Sequence, residues 1–381
     1  MMKYNKNIED INKNITSSSE IMRFNDNEKA EFYNEFNTIC NGYNYTPAIH
    51  GVVPRIVVIG DIHGDYNLAI NLLKASKVMA IQNDKYIWTG GSTYVVQVGD
   101  QIDRCRPLGN MGCNNPNTTF NDEASDIKIL EMFTNLHQQA INVGGAVISL
   151  LGNHELMNVM GQMQYVSYKG LEEFANYSED NKKFNSGIEA RTYAFSVGHK
   201  YGKLLGCTRV PALIIGSNLF VHAGVIDGLI KEIGLRGIDD FESINIAVRK
   251  WLLGMINHKY VKNIINGSKR SMFWTRVLGS IPPDVQLDHP ICMKNIKNVL
   301  KLFKVGNIIV GHTPQSFINS DDINGTCGEK VWRVDNGSSS AFHRFDSSFT
   351  ATGKISYSRR AQYLEIINDT QFRICDIDKC S

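Results

Sequence analysis

Five short runs of β-branched and apolar residues dominate the organisation of this chain, because each stops at a polar block rich in Asp, Asn or His. They are Ile56 to Ile59, Tyr94 to Val98, Ala146 to Leu151, Leu219 to Val221 and Asn307 to Val310. Runs of this length with turn signals behind them read as buried strands. Between the second and third, Ile127, Leu130, Phe133, Leu136 and Ala140 recur at helical spacing behind a Ser125 or Asp126 cap, which predicts an amphipathic helix on a sheet. Leu68, Leu72 and Leu73 predict another after the first run. Strands alternating with helices argue for an α/β fold, in which ligands gather beyond the carboxyl ends of the strands. Past Gly328 the chain turns strand-rich, with Lys330 to Val334, Tyr363 to Ile367 and Gln371 to Cys375 as strands, so a mixed sheet or a second sheet is expected.

The blocks behind the runs carry the chemistry. They read Gly-Asp-Ile-His-Gly-Asp at 60–65, Gly-Asp-Gln-Ile-Asp-Arg at 99–104, Gly-Asn-His-Glu at 152–155, Val-His-Ala-Gly at 221–224 and Gly-His-Thr at 311–313. Asp61 and His63 lie two apart, so on continuing strand geometry their side chains leave one face and reach one ion. Asp100 can bridge, Asn153 supplies a neutral oxygen, and His222 and His312 add imidazoles. This mixed oxygen and nitrogen set suits Mn, Fe or Zn better than Ca or a thiolate site. A turn or helix-cap reading competes for any one block, but five in series defeat it. His137, His199, His258, His289 and His343 have no such neighbours and read as ordinary core or surface groups.

Longer stretches narrow the comparison: Leu-Leu-Gly-Asn-His-Glu-Leu-Met-Asn at 150–158, Gln164-Tyr165-Val166, Leu-Phe-Val-His-Ala-Gly-Val at 219–225, Phe-Trp-Thr-Arg at 273–276 and Val-Gly-His-Thr-Pro-Gln at 310–315. From about Val52 to the last strands the chain resembles the calcineurin-like metallophosphoesterases. Within them it is similar to the phosphoprotein phosphatase superfamily and most to the Shewanella-like protein phosphatases. The resemblance implies a core of two mixed β-sheets in a sandwich flanked by helices, with helical insertions. It also implies a dinuclear site, with Asp61, His63 and Asp100 on one metal and Asp100, Asn153, His222 and His312 on the other. Manganese is the first expectation, with iron or zinc as alternatives. Hydrolysis would proceed by direct attack of a hydroxide bridging the ions, with no covalent phosphoenzyme. His154 would be the general acid, oriented by Asp103, and Arg104 and Arg276 would clamp the phosphate. A phosphorylated protein is the implied substrate, on phosphotyrosine or on phosphoserine and phosphothreonine. A dinucleoside polyphosphate hydrolase on the same core and a non-catalytic binding scaffold are the competing readings. All six ligand positions and His154 are intact, which argues against a decayed scaffold.

The chain departs from that pattern in two places. Cys105 follows Asp103-Arg104 where relatives carry glycine, and Gln162 and Gln164 stand where an Asp and an Arg are usual, so substrate specificity is expected to differ. Cys105 and Cys113 flank the loop beside Arg104, and two reduced thiols are expected there in preference to a redox switch.

Composition sets the remaining bounds. The 381 residues suffice for a large core without disulfide staples. Forty Lys and Arg against 38 Asp and Glu supply no basic footprint for nucleic acid. The 8 Cys are too sparse for a disulfide scaffold and are expected to be mostly reduced. With no apolar leader and no run of membrane length, an intracellular soluble protein without a membrane partner is expected; nothing in the residues fixes the oligomeric state. Residues 1–50 are polar and predicted to be a poorly ordered extension, with one catalytic domain over residues 51–381. Helical insertions are expected over about 159–215 and 226–305, as a cap packed by its own aromatics or as a lid.

Overall fold

The computed structural model describes residues 20–179, 181–343 and 360–380. Its strands in chain order are β1 (Ile49–His50), β2 (Arg55–Ile59), β3 (Met79–Gln82), β4 (Lys85–Trp88), β5 (Tyr94–Gln97), β6 (Ala146–Leu150) and β7 (Arg209–Val210). They continue as β8 (Ala212–Ile215), β9 (Asn218–Val221), β10 (Asn307–Val310), β11 (Asn324–Thr326), β12 (Val331–Arg333), β13 (Tyr363–Ile367) and β14 (Gln371–Cys375). Two six-stranded mixed sheets result, ordered β14-β13-β2-β5-β6-β7 and β1-β8-β9-β10-β12-β11, with β3 and β4 as a separate hairpin.

Alternation along the strands makes the sandwich. On β2, Ile56 and Val58 point between the sheets, where they join Val96, Ile148, Phe220, Ile309 and Leu364 in a buried cluster. Val57 and Ile59 point the other way, onto Leu72 of the helix Tyr66–Ala75 and Phe133 of the helix Asp126–Ile141. The outer face of the second sheet, with Leu219, Val221, Ile308 and Val310, packs on the helices of the insertions. β2, β5, β6 and β7 are parallel, as are β9, β10 and β12. The polar blocks behind β2, β5, β6, β9 and β10 therefore emerge at one edge of the sandwich.

The insertions are less purely helical than their residue patterns imply. Residues 159–215 hold helices Tyr168–Glu172, Gly187–Phe195 and Lys200–Thr208, then finish with β7 and β8. In residues 226–305 the helix Asp240–Leu252 buries Ile244, Val248, Trp251 and Leu252 in the main core, so it is packing and not a lid.

From Ile21 onward the segment expected as a loose extension belongs to the fold, while residues 1–19 lie outside the described residues. Asn25 and Glu28 close a capping box on the helix Asp26–Ile39. Phe32, Phe36 and Cys40 recur every four residues and are buried together. Arg23 pairs with Asp240 at 2.8 Å, and Glu242 accepts from the Ala48 amide at 2.6 Å. The charges that make this segment look solvated are its anchors.

The expectation of reduced cysteines is corrected. All eight are paired, as Cys40–Cys207, Cys105–Cys113, Cys292–Cys327 and Cys375–Cys380. Low density along the chain says nothing about proximity in space: Cys40 meets Cys207 across 167 positions because both face the same apolar cluster. Cys105 and Cys113 close the loop beside Arg104 as a disulfide, not as two thiols. The pairing removes one of the grounds for expecting an intracellular protein. No helix of the described residues is long and apolar enough to cross a membrane.

Candidate functional site

The site is assembled where the polar blocks meet, and close backbone approach makes it so. A Cβ on Gly152 would overlap the Asp100 carboxylate, and one on Gly311 would overlap that of Asp61; both positions require glycine. His63, Asp100, Asp103 and His312 hold left-handed backbone at φ 47°, 53°, 73° and 66°, a conformation that costs free energy and collects at functional sites. Glu155 holds the second block in place, its carboxylate accepting from the amides of Asp100, Gln101 and Gly152 at 2.9, 2.8 and 2.7 Å.

Every metal ligand expected from sequence is buried there. Asp100 lies at the centre. Its Oδ2 is 3.3 Å from His222 Nε2 and 3.9 Å from both His63 Nε2 and His154 Nε2. His222 Nε2 is also 2.9 Å from Asn153 Oδ1. Asp61 accepts from the His312 amide at 3.0 Å and lies 3.9 Å from His63 Nε2. Two groups with ligand spacing share Asp100: His63, Asp100 and His154, and Asp100, His222 and His312. His154 thus stands among the potential ligands, a position its expected role as acid did not anticipate.

The surroundings fit cations. His222 and His63 give their Nδ1–H to the carbonyls of Val98 and Ile102, at 2.9 and 3.3 Å, which leaves Nε2 facing inward as a lone pair. His312 Nε2 and Asp335 Oδ2 are buried with no hydrogen-bond partner, a cost that a positive ion would remove. Burial and the charges of Asp335 and Asp100 push the Asp61 carboxyl well above its ordinary range. Burial also acts against ionisation of Asp100, but the imidazoles of His222 and His154 outweigh it and hold its carboxyl well below the usual range. Burial keeps His63 and His312 neutral, assisted by Arg106 at the first and by His222 and Arg276 at the second. Burial works against protonation of His222, but the Asp100 carboxylate outweighs it and pushes that imidazole up. A bound cation would take the place of that proton. Neutral imidazoles such as His63 and His312 and crowded carboxylates are what divalent ions of the Mn, Fe and Zn class bind.

The expected catalytic and phosphate-binding residues surround this centre. His154 Nδ1 is 2.7 Å from Asp103 Oδ2, so Nε2 is the ring nitrogen that looks toward Asp100. Asp103 is held in turn by Asn158, which donates to its Oδ1 at 2.9 Å, and Arg191 donates to Asn158 at 2.9 Å. Arg104 is buried with Nε and Nη1 unpartnered, leaving donors for an anion. Arg276 is exposed at the rim and donates to the His312 carbonyl at 3.2 Å.

Four residues escape the sequence reading. Asp335 follows β12 and is buried, its carboxyl pushed up to about 6 by burial; the strand-end signal was visible, but without the Gly-Asp or His that marked the other blocks. Arg106 lies over Tyr165 and Phe342, at 5.5 and 4.8 Å from the ring centres, a cation–π sandwich that no spacing announces. Asp126 is not the helix cap it resembles; it binds Arg191 at 2.7 Å. Removing one partner of such a fully buried pair costs about 3–5 kcal/mol, so Arg191 and Asp126 stiffen the Asp103 support from distant elements.

With sandwich, shared carboxylate and ligand cluster in place, the class is clear: the calcineurin-like phosphoesterase family model matches residues 54–316, and the chain belongs to that family. Among curated relatives, an uncharacterised protein of Acanthamoeba polyphaga mimivirus is 39% identical over 254 residues, covering 64% of this chain and 96% of the relative. Shewanella-like protein phosphatase 2 of Arabidopsis thaliana is 29% identical over 317 residues, covering 75% and 71%. The solved cold-active protein tyrosine phosphatase shares the fold, with a TM-score of 0.61 at 22% identity over 91% of this chain and 82% of that one.

Proposed function

We propose that the protein is a metal-dependent phosphomonoesterase acting on phosphorylated proteins, with Mn as the preferred ion. The observation that carries the reading is a buried carboxylate, Asp100, shared by two imidazole groups beside an arginine with unused donors. Asp61, His63 and Asp100 would hold one ion, and Asp100, Asn153, His222 and His312 the other. Such a pair, when bound, makes water nucleophilic near neutral pH and offsets charge on the phosphoryl oxygens.

The chain's own residues supply the rest. Arg104 keeps Nε and Nη1 free for phosphate oxygens, donors that stay charged where a lysine offers one point charge, and Arg276 closes the rim. His154 delivers the Nε2 proton to the leaving oxygen, while Asp103, fixed by Asn158, orients the ring and steadies its charge. Arg106, held over Tyr165 and Phe342, keeps a second guanidinium near His63.

A phosphoprotein substrate is supported by the names of the similar proteins: the relatives from Arabidopsis thaliana and Plasmodium berghei are called Shewanella-like protein phosphatases. The test compares a phosphotyrosine peptide, a phosphoserine peptide and a dinucleoside tetraphosphate at equal concentration with the Mn-loaded protein. Both peptides are expected to turn over faster than the nucleotide, the tyrosine peptide fastest. Preference for the tetraphosphate would overturn the protein-substrate reading.

A further inference from the structure

The charge of this near-neutral chain is unevenly distributed. From Ser243 to Pro283 there is no Asp or Glu, while Arg249, Lys250, Lys259, Lys262, Lys269, Arg270 and Arg276 fall inside the same stretch. Arg249 is buried and Lys250 and Arg270 are paired with Glu35 and Glu232, which leaves Lys259, Lys262, Lys269 and Arg276 as exposed charge.

This stretch forms one wall of an open groove of about 500 Å³. His258, Lys262, Asn266 and Trp274 line the groove from this stretch, and Met160 and Gln162 complete the lining. Among the described residues no carboxylate lines the groove. Both lining segments are joined to the site along the chain. Trp274 stands two positions before Arg276, which donates to the His312 carbonyl. Met160 and Gln162 follow directly on the helix Asn153–Val159, whose first turn holds Asn153 and His154.

We infer that this groove binds an acidic segment of the polypeptide substrate flanking the phosphorylated residue. The inference rests on the phosphoprotein reading of the site. Lys262 and His258 meet the substrate's carboxylates, the Asn266 and Gln162 amides suit a polypeptide backbone, and Trp274 and Met160 give apolar contacts. Gln162 fits the same logic, because an Asp there would put a carboxylate into the groove and repel an acidic chain.

The experiment uses the Mn-loaded full chain, an aryl phosphate, and two phosphopeptides that differ only in carrying Asp and Glu or Asn and Gln around the phosphorylated residue. The acidic peptide is expected to be preferred roughly tenfold in kcat/KM, chiefly through KM, and the preference is expected to shrink as salt is raised. Lys262→Glu is expected to abolish most of the preference while leaving aryl phosphate turnover unchanged. Gln162→Asp, at another exposed position, is expected to reduce it independently. Equal kcat/KM for the two peptides, or a preference that neither variant changes, overturns the inference. Should the aryl phosphate itself not be hydrolysed, the catalytic reading fails, and the groove is decided by fluorescence anisotropy of an unphosphorylated acidic peptide. Tighter binding than the neutral peptide, weakened by Lys262→Glu, sustains it; equal binding, or binding of a dinucleoside tetraphosphate in place of the peptide, sinks it.

Discussion

Asp100→Ala is expected to lower kcat/KM on an aryl phosphate by roughly 10³-fold or more, equivalent to about 4 kcal/mol of lost transition-state stabilisation, and to deplete bound metal. Asp100 is the one residue common to both ligand groups, its Oδ2 within 3.9 Å of three imidazoles. Removing it leaves His63, His154 and His222 without the anion that gathers them. Asp100→Asn preserves shape and should still lose activity, because an amide oxygen bridges two cations poorly. Elemental analysis of the purified variants reads out metal occupancy, and thermal unfolding reports whether the fold survives. Wild-type turnover in either variant would remove the basis of the catalytic reading.

The second large effect is at His154. His154→Ala is expected to lose about 10²- to 10⁴-fold in kcat, the range for a general acid, and to lose more on an alkyl ester such as phosphoserine than on a nitrophenyl ester. The nitrophenolate leaves without needing a proton, whereas the serine alkoxide does not. Asp103→Asn should lose less and keep its metal. Since Asp103 acts through its 2.7 Å contact with His154, the double variant is expected to be no worse than His154→Ala alone. A double variant that multiplies the two losses would show that Asp103 contributes by some other route. His154 also stands within ligand distance of Asp100, so metal content decides between the roles: full occupancy in His154→Ala supports the acid, depletion supports a ligand.

Much of this site was legible in the sequence because its residues follow strands. A strand fixes where its last residue points, so Asp61, Asp100, Asn153, His222 and His312 could be read as a set from five apolar runs that end in β2, β5, β6, β9 and β10. The same logic reached the helix Asp126–Ile141 and the strands β13 and β14. It failed where contacts join residues remote in the chain and unmarked by any block. Arg191 supports Asp103 through Asn158 from a helix whose residues look like ordinary surface. Asp335 needed only the rule already applied to the other strand ends, but Val-Asp-Asn-Gly carries no imidazole to draw attention. The disulfides and the docking of residues 20–50 were misread for a common reason: sparse Phe and Cys positions count for little in composition and much once a helix aligns them on one face.

The departures from the family pattern are also placed by the fold. Cys105 bonds Cys113, so the loop that carries Arg104 and Arg106 is closed covalently. Gln162 lines the groove with Lys262, where the inferred acidic segment of the substrate would lie.

Metal stoichiometry measured together with turnover tests the central claim most directly. Protein stripped by a chelator is titrated with Mn, and bound ion and aryl phosphate hydrolysis are followed on the same samples. The account predicts inactive stripped protein, saturation at two ions per chain, and hydrolysis that requires both. Saturation at one ion or none, or hydrolysis unaffected by the chelator, would contradict it.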